Sequence, residues 1–143
     1  MAIRTSIAEW HGPVPGGDGS VKLGSGAFEG SYSFASRFED GDGTNPEELL
    51  GAAHAACFSM ALSLILGGKG FVPERIHTSA NVEIVKSGEG FRISIVELVT
   101  RARVPGIEAA VFADCADTAR RECPVSKALA GVEIDLDAKL EDA

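Results

Sequence analysis

The sequence predicts an α+β fold in which antiparallel strands surround one long, buried helix. Residues 1–40 contain short alternating stretches separated by glycine-dense turns, which is typical of strands in a meander. Residues 51–66 form one apolar run, with a helix start before it at residues 44–48 and two glycines after it. Residues 76–104 contain two alternating segments joined by a short loop, which predicts a hairpin. At 143 residues, a single domain over residues 1–143 is expected.

The N-terminal part is expected to be a small antiparallel meander. Alternation over residues 3–10 indicates an edge strand, and residues 20–23 and 30–38 favour two more strands. The prolines and glycines of residues 11–19 indicate a loop. This interpretation puts Arg37 at the end of an apolar strand, where an arginine is ordinarily a solvated edge charge.

The central helix has clear start and stop signals. Asn45 is a favoured N-cap, Pro46 suits the first helical position, and Glu48 completes a pattern like a capping box. The helix is expected to run to about residue 66, where Gly67 and Gly68 end it.

The body of this helix is apolar nearly all round, so it is either buried on every side or spans a membrane. The apolar run falls short of the roughly 20 residues that a bilayer needs, and His54, Ser59 and Ser63 interrupt it. A small chain has too little material to cover such a helix on all faces. We therefore expect a second copy of the chain to cover it, as a homodimer.

Beyond the central helix the sequence predicts a hairpin, two helices and a strand, over residues 76–86, 91–104, 107–122, 124–130 and 132–140. The loop of residues 87–90 joins the hairpin strands. The first helix carries an apolar stripe that includes Cys115, and Cys123 with Pro124 separates it from the second helix.

The charge balance argues against some partners. Lys plus Arg is 13 and Asp plus Glu is 21, which gives a formal net charge of −8. Because an acidic chain repels phosphate backbones and anionic headgroups, nucleic-acid and membrane partners are not expected. Residues 1–10 lack a signal-peptide core, and three cysteines make a disulfide framework improbable, so a cytoplasmic location is expected. Without C-x-x-C or H-x-x-x-H spacing, we expect no metal and no other cofactor.

The three cysteines differ in their surroundings. From its position alone, Cys57 is a small core residue more readily than a catalytic thiol. Cys123 precedes Pro124 at a predicted helix N-terminus, where backbone N–H groups stabilise a thiolate, although a simple capping role is equally open. Cys115 lies on an apolar stripe and is expected to pack in the core.

Two further residues of the central helix have open roles. His54 lies one helical turn before Cys57, so a Cys–His nucleophilic pair is one hypothesis. Such pairs usually come from separate elements, which argues against it. Glu47 lies in the first helical turn and complements the helix dipole, which is a structural role that implies no catalytic function.

Two long motifs closely resemble those of the OsmC/Ohr family. Residues 44–62, TNPEELLGAAHAACFSMAL, are similar to the family signature, and residues 123–129, CPVSKAL, to its second cysteine motif. Residues 36–39, SRFE, resemble the arginine segment of the OsmC branch rather than that of the Ohr branch, and the turn at residues 104–107 fits too. The resemblance covers essentially the whole chain in order.

The resemblance implies an OsmC-like fold, an intertwined homodimer with active sites at the subunit interface, and a thiol-dependent peroxidase of the stress response. Such enzymes reduce organic hydroperoxides and, less well, hydrogen peroxide. Cys57 corresponds to the peroxidatic cysteine, Cys123 to the resolving cysteine, Arg37 to the active-site arginine and Glu47 to the acid paired with it. A dithiol or a lipoylated protein is the implied reductant.

These residue types suit that chemistry. Cys57 must ionise to attack a peroxide oxygen, yet burial raises a thiol pKa. Arg37 stays charged when desolvated and can stabilise both the thiolate and the leaving oxygen, and Glu47 offsets the cost of burying it. The sulfenic acid formed on Cys57 then condenses with Cys123 to a disulfide.

Spacing adds a geometric expectation. Residues 47 and 57 of one continuous helix are about 15 Å apart along its axis, too far to share a site. Each site is therefore expected to take Glu47 from the partner subunit, with the subunit that supplies Arg37 left open. A pocket favouring alkyl or aryl hydroperoxides is expected, with ordinary core as the alternative, from Phe38, Phe58, Met60, Ala61 and Leu62.

Two other functions stay open on the sequence. One is a redox-sensing dimer whose thiols oxidise but turn over poorly. The other is a hydrolase that uses the pair of Cys57 and His54.

Overall fold

The computed structural model describes residues 1–141. The chain forms two compact units, Met1–Leu49 and Leu50–Ala143, called here unit 1 and unit 2. Each unit contains a three-stranded sheet. The predicted α+β class is confirmed, and the single domain over residues 1–143 stays a prediction.

Unit 1 contains the predicted antiparallel meander. Strands β1 (Ser6–His11), β2 (Asp18–Leu23) and β3 (Glu29–Tyr32) pair in that order. Gly19 lies between the rings of Trp10 and Tyr32, and a Cβ there would come within 2.6 Å of the Tyr32 ring. Glycine at this position therefore lets the two rings approach each other across the sheet in a tilted arrangement, with their centroids 5.3 Å apart.

The third strand is shorter than the sequence suggested. We expected residues 30–38 to be one strand, and this was wrong, because Phe34–Phe38 form a short helix, α1. The cause is a capping box: the Ser33 hydroxyl accepts a hydrogen bond from the Ser36 N–H, and the Ser36 hydroxyl accepts one from the Ser33 N–H. Arg37 therefore lies on a helix and not at a strand end.

The central helix, α2, spans Pro46–Gly68 and begins where predicted. The Asn45 side chain accepts a hydrogen bond from the Glu48 N–H at 2.7 Å, as expected of an N-cap. The Glu48 carboxylate does not complete the predicted box and instead accepts from the Thr44 hydroxyl at 2.7 Å. The helix runs two residues past its expected end and includes both glycines.

Unit 2 is built on a long hairpin. Strands β4 (Arg75–Ser87) and β5 (Gly90–Arg103) pair antiparallel through a tight turn at residues 88–89. Gly88 has φ of +61°, the left-handed conformation that such two-residue turns need. The predicted hairpin is confirmed.

Two helices connect this hairpin to the last strand. Helices α3 (Ala109–Glu122) and α4 (Pro124–Ala128) lead to β6 (Glu133–Leu140), which pairs parallel with β5. The crossover through two helices is what a parallel neighbour requires. The break at Cys123 is confirmed, because this residue ends α3 and caps α4.

The core of unit 2 lies around α2, β5 and α3. Cys115 is fully buried there, as predicted. The largest fully buried apolar side chains are Phe58, Phe112, Leu62, Leu66, Leu98 and Val96.

Only one face of α2 is buried within the chain. Phe58, Leu62 and Leu66 have no exposed area, whereas Met60 and Leu64 are 77% and 78% exposed. The single chain therefore leaves part of the helix uncovered, and its burial by a second copy stays a prediction. The exposed apolar face is what a covering partner would bury.

At 23 residues, α2 is long and apolar enough to cross a membrane by length and composition. The expectation that its apolar run is too short was therefore wrong. Core helices meet the same criterion, and α2 supplies Phe58, Leu62 and Leu66 to the core of unit 2.

Candidate active site

Arg37 and Glu47 form a charged pair in unit 1. Nε of Arg37 donates to both carboxylate oxygens at 3.1 and 3.2 Å, and Nη2 donates to Oε1 at 2.7 Å. The Glu47 side chain is 9% exposed and the Arg37 side chain 37% exposed. The carboxylate therefore fixes the guanidinium from the buried side, while the other side of the guanidinium stays accessible.

Local hydrogen bonds hold the two segments that carry this pair. The Ser36 hydroxyl donates to the Thr44 carbonyl at 2.7 Å, and the Asn45 side-chain amide donates to the Ser36 carbonyl at 3.1 Å. Arg37 follows Ser36 directly, and Glu47 lies in the first turn of α2. These bonds explain why the pair forms within so short a stretch of chain.

Aromatic side chains surround the accessible side of Arg37. A cavity of about 190 Å³ in unit 1 is lined by Trp10, Val14, Tyr32, Ser33, Phe34, Arg37 and Phe38. The guanidinium carbon lies 5.2 Å from the centre of the Phe38 ring, a cation–π distance. A charged group at an apolar cavity suits a ligand with one polar end.

The two candidate thiols lie together in unit 2. Cys57 is half-buried in the middle of α2, and Cys123 is fully buried at the N-cap of α4. The Cys57 thiol lies beside Cys123 and the backbone N–H of Val125, and both affect its pKa. Both cysteines are free thiols.

Within unit 2, the groups around Cys57 favour its neutral thiol over the thiolate. Burial raises the pKa of the Cys57 thiol, the Val125 N–H lowers it by a smaller amount, and contact with Cys123 raises it again. None of these contributions comes from a cation within residues 50–141. A reactive thiolate at Cys57 therefore needs a positive charge from outside unit 2.

An apolar groove of about 670 Å³ opens at Cys57. Met60 and Ala61 line it, as expected, but Phe58 and Leu62 do not, because both are fully buried in the core. The lining residues are Cys57, Met60, Ala61, Ser63, Leu64, Ile65, Glu122 and Pro124. Apolar molecules of moderate size therefore have access to the Cys57 sulfur.

Ser126 is a site residue that the sequence analysis missed. Its hydroxyl lies 3.1 Å from the Cys123 sulfur and 2.8 Å from Nε2 of His54. Ser126 lies in α4, three residues after the N-cap Cys123. At this spacing a backbone N–H or a polar side chain ordinarily contacts the side chain of the N-cap residue. The three-residue spacing from Cys123 was the sequence signal that could have identified Ser126.

His54 contacts Ser126 and not Cys57, which removes the basis for a nucleophilic pair. The imidazole is fully buried, and burial lowers the pKa of His54. Within residues 1–141, its Nδ1 has no hydrogen-bond partner. An unsatisfied buried polar group costs about 1–3 kcal/mol, so packing alone does not explain this histidine.

A family model described as OsmC-like protein matches residues 39–137. The chain belongs to the OsmC family. Peroxiredoxin OsmC of Escherichia coli K12 is 48% identical over 135 residues, which cover 94% of each protein. The organic hydroperoxide resistance protein of Xanthomonas axonopodis pv. citri is 39% identical over 92 residues, or 64% of this chain and 63% of that protein.

The fold comparison agrees with the family assignment. The crystal structure of the organic hydroperoxide resistance protein OhrB of Bacillus subtilis superposes with a TM-score of 0.74 at 25% identity, over 94% of this chain and 98% of that one. The resemblance inferred from the sequence motifs is confirmed, and so is the OsmC-like fold.

In this OsmC-family chain the predicted site residues form two pairs. Arg37 contacts Glu47 in unit 1, and Cys57 contacts Cys123 in unit 2. Their catalytic roles stay predictions. Among residues 1–141, no group of three or more His, Cys, Asp or Glu residues is arranged to hold a metal ion.

Proposed function

We propose that this chain is a thiol-dependent peroxidase that reduces organic hydroperoxides and, less well, hydrogen peroxide. The observation that carries the proposal is the contact between two free thiols, Cys57 at an apolar groove and Cys123 behind it. The relatives named peroxiredoxin and organic hydroperoxide resistance protein support it.

The reaction uses both sulfurs. The Cys57 thiolate attacks one peroxide oxygen, the O–O bond breaks, and the other oxygen leaves as an alcohol, or as water from hydrogen peroxide. Cys57 is left as a sulfenic acid. The Cys123 sulfur then attacks the Cys57 sulfur, water leaves, and the resulting disulfide is reduced by a dithiol or a lipoylated protein.

Arg37 supplies the charge that Cys57 lacks. The surroundings of Cys57 in unit 2 raise its pKa, whereas the guanidinium of Arg37 is charged and already oriented by Glu47. A second subunit would bring this pair to the thiol, because residues 47 and 57 of α2 lie about 15 Å apart along one helix axis. The exposed face at Met60 and Leu64 supports such a homodimer.

The apolar lining of the groove and the aromatic cavity beside Arg37 favour alkyl and aryl hydroperoxides. The acidic net charge of −8 favours neither nucleic acid nor an anionic membrane surface. Free thiols at the site suit a reducing compartment, so we place the enzyme in the cytoplasm.

One observation favours a second candidate, a redox sensor that oxidises but turns over poorly. The raised pKa of Cys57 would make its thiol slow if the arginine did not reach it. A sensor of this kind would consume peroxide once per thiol pair and then stop.

One assay separates the two functions. Consumption of cumene hydroperoxide with excess dithiothreitol is followed for the wild type, Cys57→Ser, Cys123→Ser and the buried control Cys115→Ser. The peroxidase loses turnover in Cys57→Ser, still consumes at least one equivalent without forming the internal disulfide in Cys123→Ser, and keeps near-normal turnover in Cys115→Ser. Stoichiometric consumption by the wild type would contradict a peroxidase and support the sensor.

A further inference from the structure

A buried row of hydrogen-bonding groups leads away from Cys123. The Cys123 sulfur lies 3.1 Å from Oγ of Ser126, which lies 2.8 Å from Nε2 of His54. Cys123 and His54 have no exposed area, and Ser126 is 5% exposed. The row joins α4 to α2 and ends at a titratable side chain that the peroxidase reaction described above does not use.

The row has a favourable direction for moving a proton away from sulfur. The backbone N–H of Ser126 donates to the Cys123 sulfur at 3.4 Å, which holds the sulfur beside the Ser126 hydroxyl. The Ser126 hydroxyl is able to accept the thiol proton while donating its own proton to Nε2 of His54. Burial lowers the pKa of His54, so its imidazole is neutral near pH 7 and able to accept that proton.

The orphaned Nδ1 of His54 is a second, independent observation. Among the described residues 1–141, this buried atom has no hydrogen-bond partner. An apolar side chain could fill the same space without the desolvation cost of the unpartnered nitrogen. The imidazole thus makes its hydrogen bond through the other nitrogen, Nε2, which lies 2.8 Å from the Ser126 hydroxyl.

We propose that His54 is a positioning residue for the resolving thiol, which acts through Ser126 to orient Cys123 and to take up its proton when the disulfide forms. The inference rests on the peroxidase function proposed above and deepens it. It concerns the second step only, the attack of Cys123 on oxidised Cys57.

The Cys123 S–H proton passes to Oγ of Ser126, and the Ser126 hydroxyl proton passes to Nε2 of His54. The Cys123 sulfur attacks the Cys57 sulfur, and the S–O bond of the sulfenic acid breaks. The leaving hydroxide takes up one proton from solvent and departs as water. His54 later releases the proton from the row to solvent and becomes neutral again, so the net change is one thiol and one sulfenic acid converted to one disulfide and one water.

The experiment separates the two steps in a single turnover. Reduced protein is mixed with one equivalent of cumene hydroperoxide. Cumyl alcohol released reports the first step, and the disulfide between Cys57 and Cys123, quantified by mass spectrometry after acid quench, reports the second. Dimedone added at intervals traps the sulfenic acid that accumulates between them.

The variants are matched to the row. His54→Gln keeps a side chain able to hydrogen-bond Ser126 but provides no base, and Ser126→Ala removes the hydroxyl. We expect both to form the disulfide about 10²-fold more slowly than the wild type, to accumulate trapped sulfenic acid, and to release cumyl alcohol at the normal rate. Ser126→Thr restores the hydroxyl and should restore most of the rate. The exposed His77→Gln is the control histidine and should leave both steps unchanged.

Normal disulfide formation in His54→Gln would overturn the inference and leave the peroxidase intact. Equal slowing of both steps would also overturn it, because it would mark general damage to the site. A wild type that releases no cumyl alcohol would overturn the proposed function itself, and the inference with it.

Discussion

Arg37 holds the Glu47 carboxylate through three hydrogen bonds of 2.7, 3.1 and 3.2 Å. The bonds use Nε and Nη2 of the guanidinium, which leaves Nη1 for another acceptor. A buried carboxylate thus fixes a charged group whose other side is accessible. In the proposed mechanism that side meets the Cys57 sulfur and the peroxide.

The first prediction tests whether Glu47 orients Arg37. Glu47→Gln should lower kcat/KM for cumene hydroperoxide at least about tenfold, because an amide holds the guanidinium less firmly than a carboxylate. It should reduce the free energy of unfolding by only about 1 kcal/mol, since Arg37 is 37% exposed and the ion pair is partly screened. Steady-state kinetics and urea unfolding measure both effects.

The neighbouring carboxylate is the matched control. Glu48 lies in the same helical turn but is exposed and accepts a hydrogen bond from Thr44. Glu48→Gln should keep kcat/KM within about twofold of the wild type. Equal losses in the two variants would mean that the general charge of the helix start matters and the specific pair does not.

Much of this arrangement was predictable, because it depends on local signals. The start of α2 follows from Asn45 and Pro46, and the thiol at the N-cap of α4 follows from Cys123 before Pro124. The apolar alternation before Arg37 led to the prediction of a strand. The Ser33–Ser36 capping box starts a helix there instead.

The contacts between distant residues were harder to predict. Ser126 and His54 are 72 residues apart in sequence, and their hydrogen bond depends on the packing of α4 against α2. The partial exposure of α2 also depends on what the rest of the chain covers. The pairing of Arg37 with Glu47 was expected only from the family resemblance, because dipole complementation explains either acidic residue of the first turn equally well.

The second prediction concerns the acid sensitivity of folding. Burial lowers the pKa of His54 below the value of 6.5 that it has in the unfolded chain. The unfolded chain therefore binds more protons at acid pH, and stability falls as pH drops below about 6.5. His54→Gln should lose less stability than the wild type between about pH 7.5 and about pH 5.5 in urea unfolding.

The comparison between wild type and variant cancels the effect of all other titrating groups to first order. His77→Gln, at an exposed histidine, should retain the acid sensitivity of the wild type. If His54→Gln and the wild type lost equal stability, the imidazole would not be buried in its neutral form.

The third prediction tests the covering of α2 by a second subunit. Leu64 is 78% exposed and lines the groove at Cys57. Leu64→Glu should convert a dimer to a monomer in sedimentation velocity, because it places a charge on the apolar face. Peroxidase activity should fall with the loss of the dimer, since the monomer would lack the partner's arginine.

Val72→Glu is a control, because Val72 is equally exposed, at 78%, but lies outside α2. It should sediment as the wild type does. A wild-type chain that sediments as a monomer with full peroxidase activity would contradict the intersubunit site.

The pKa of the Cys57 thiol is the most direct test of the mechanism. It is obtained from the pH dependence of Cys57 alkylation by iodoacetamide, a neutral reagent, with the labelled peptide quantified by mass spectrometry. The surroundings of Cys57 in unit 2 raise this pKa, so a low value requires Arg37. We predict a pKa well below that of an ordinary thiol in the wild type and in the control Arg92→Gln, which changes an exposed arginine of β5, and a raised pKa in Arg37→Gln. A wild-type value at or above that of an ordinary thiol, or an Arg37→Gln value equal to that of the wild type, would contradict the account.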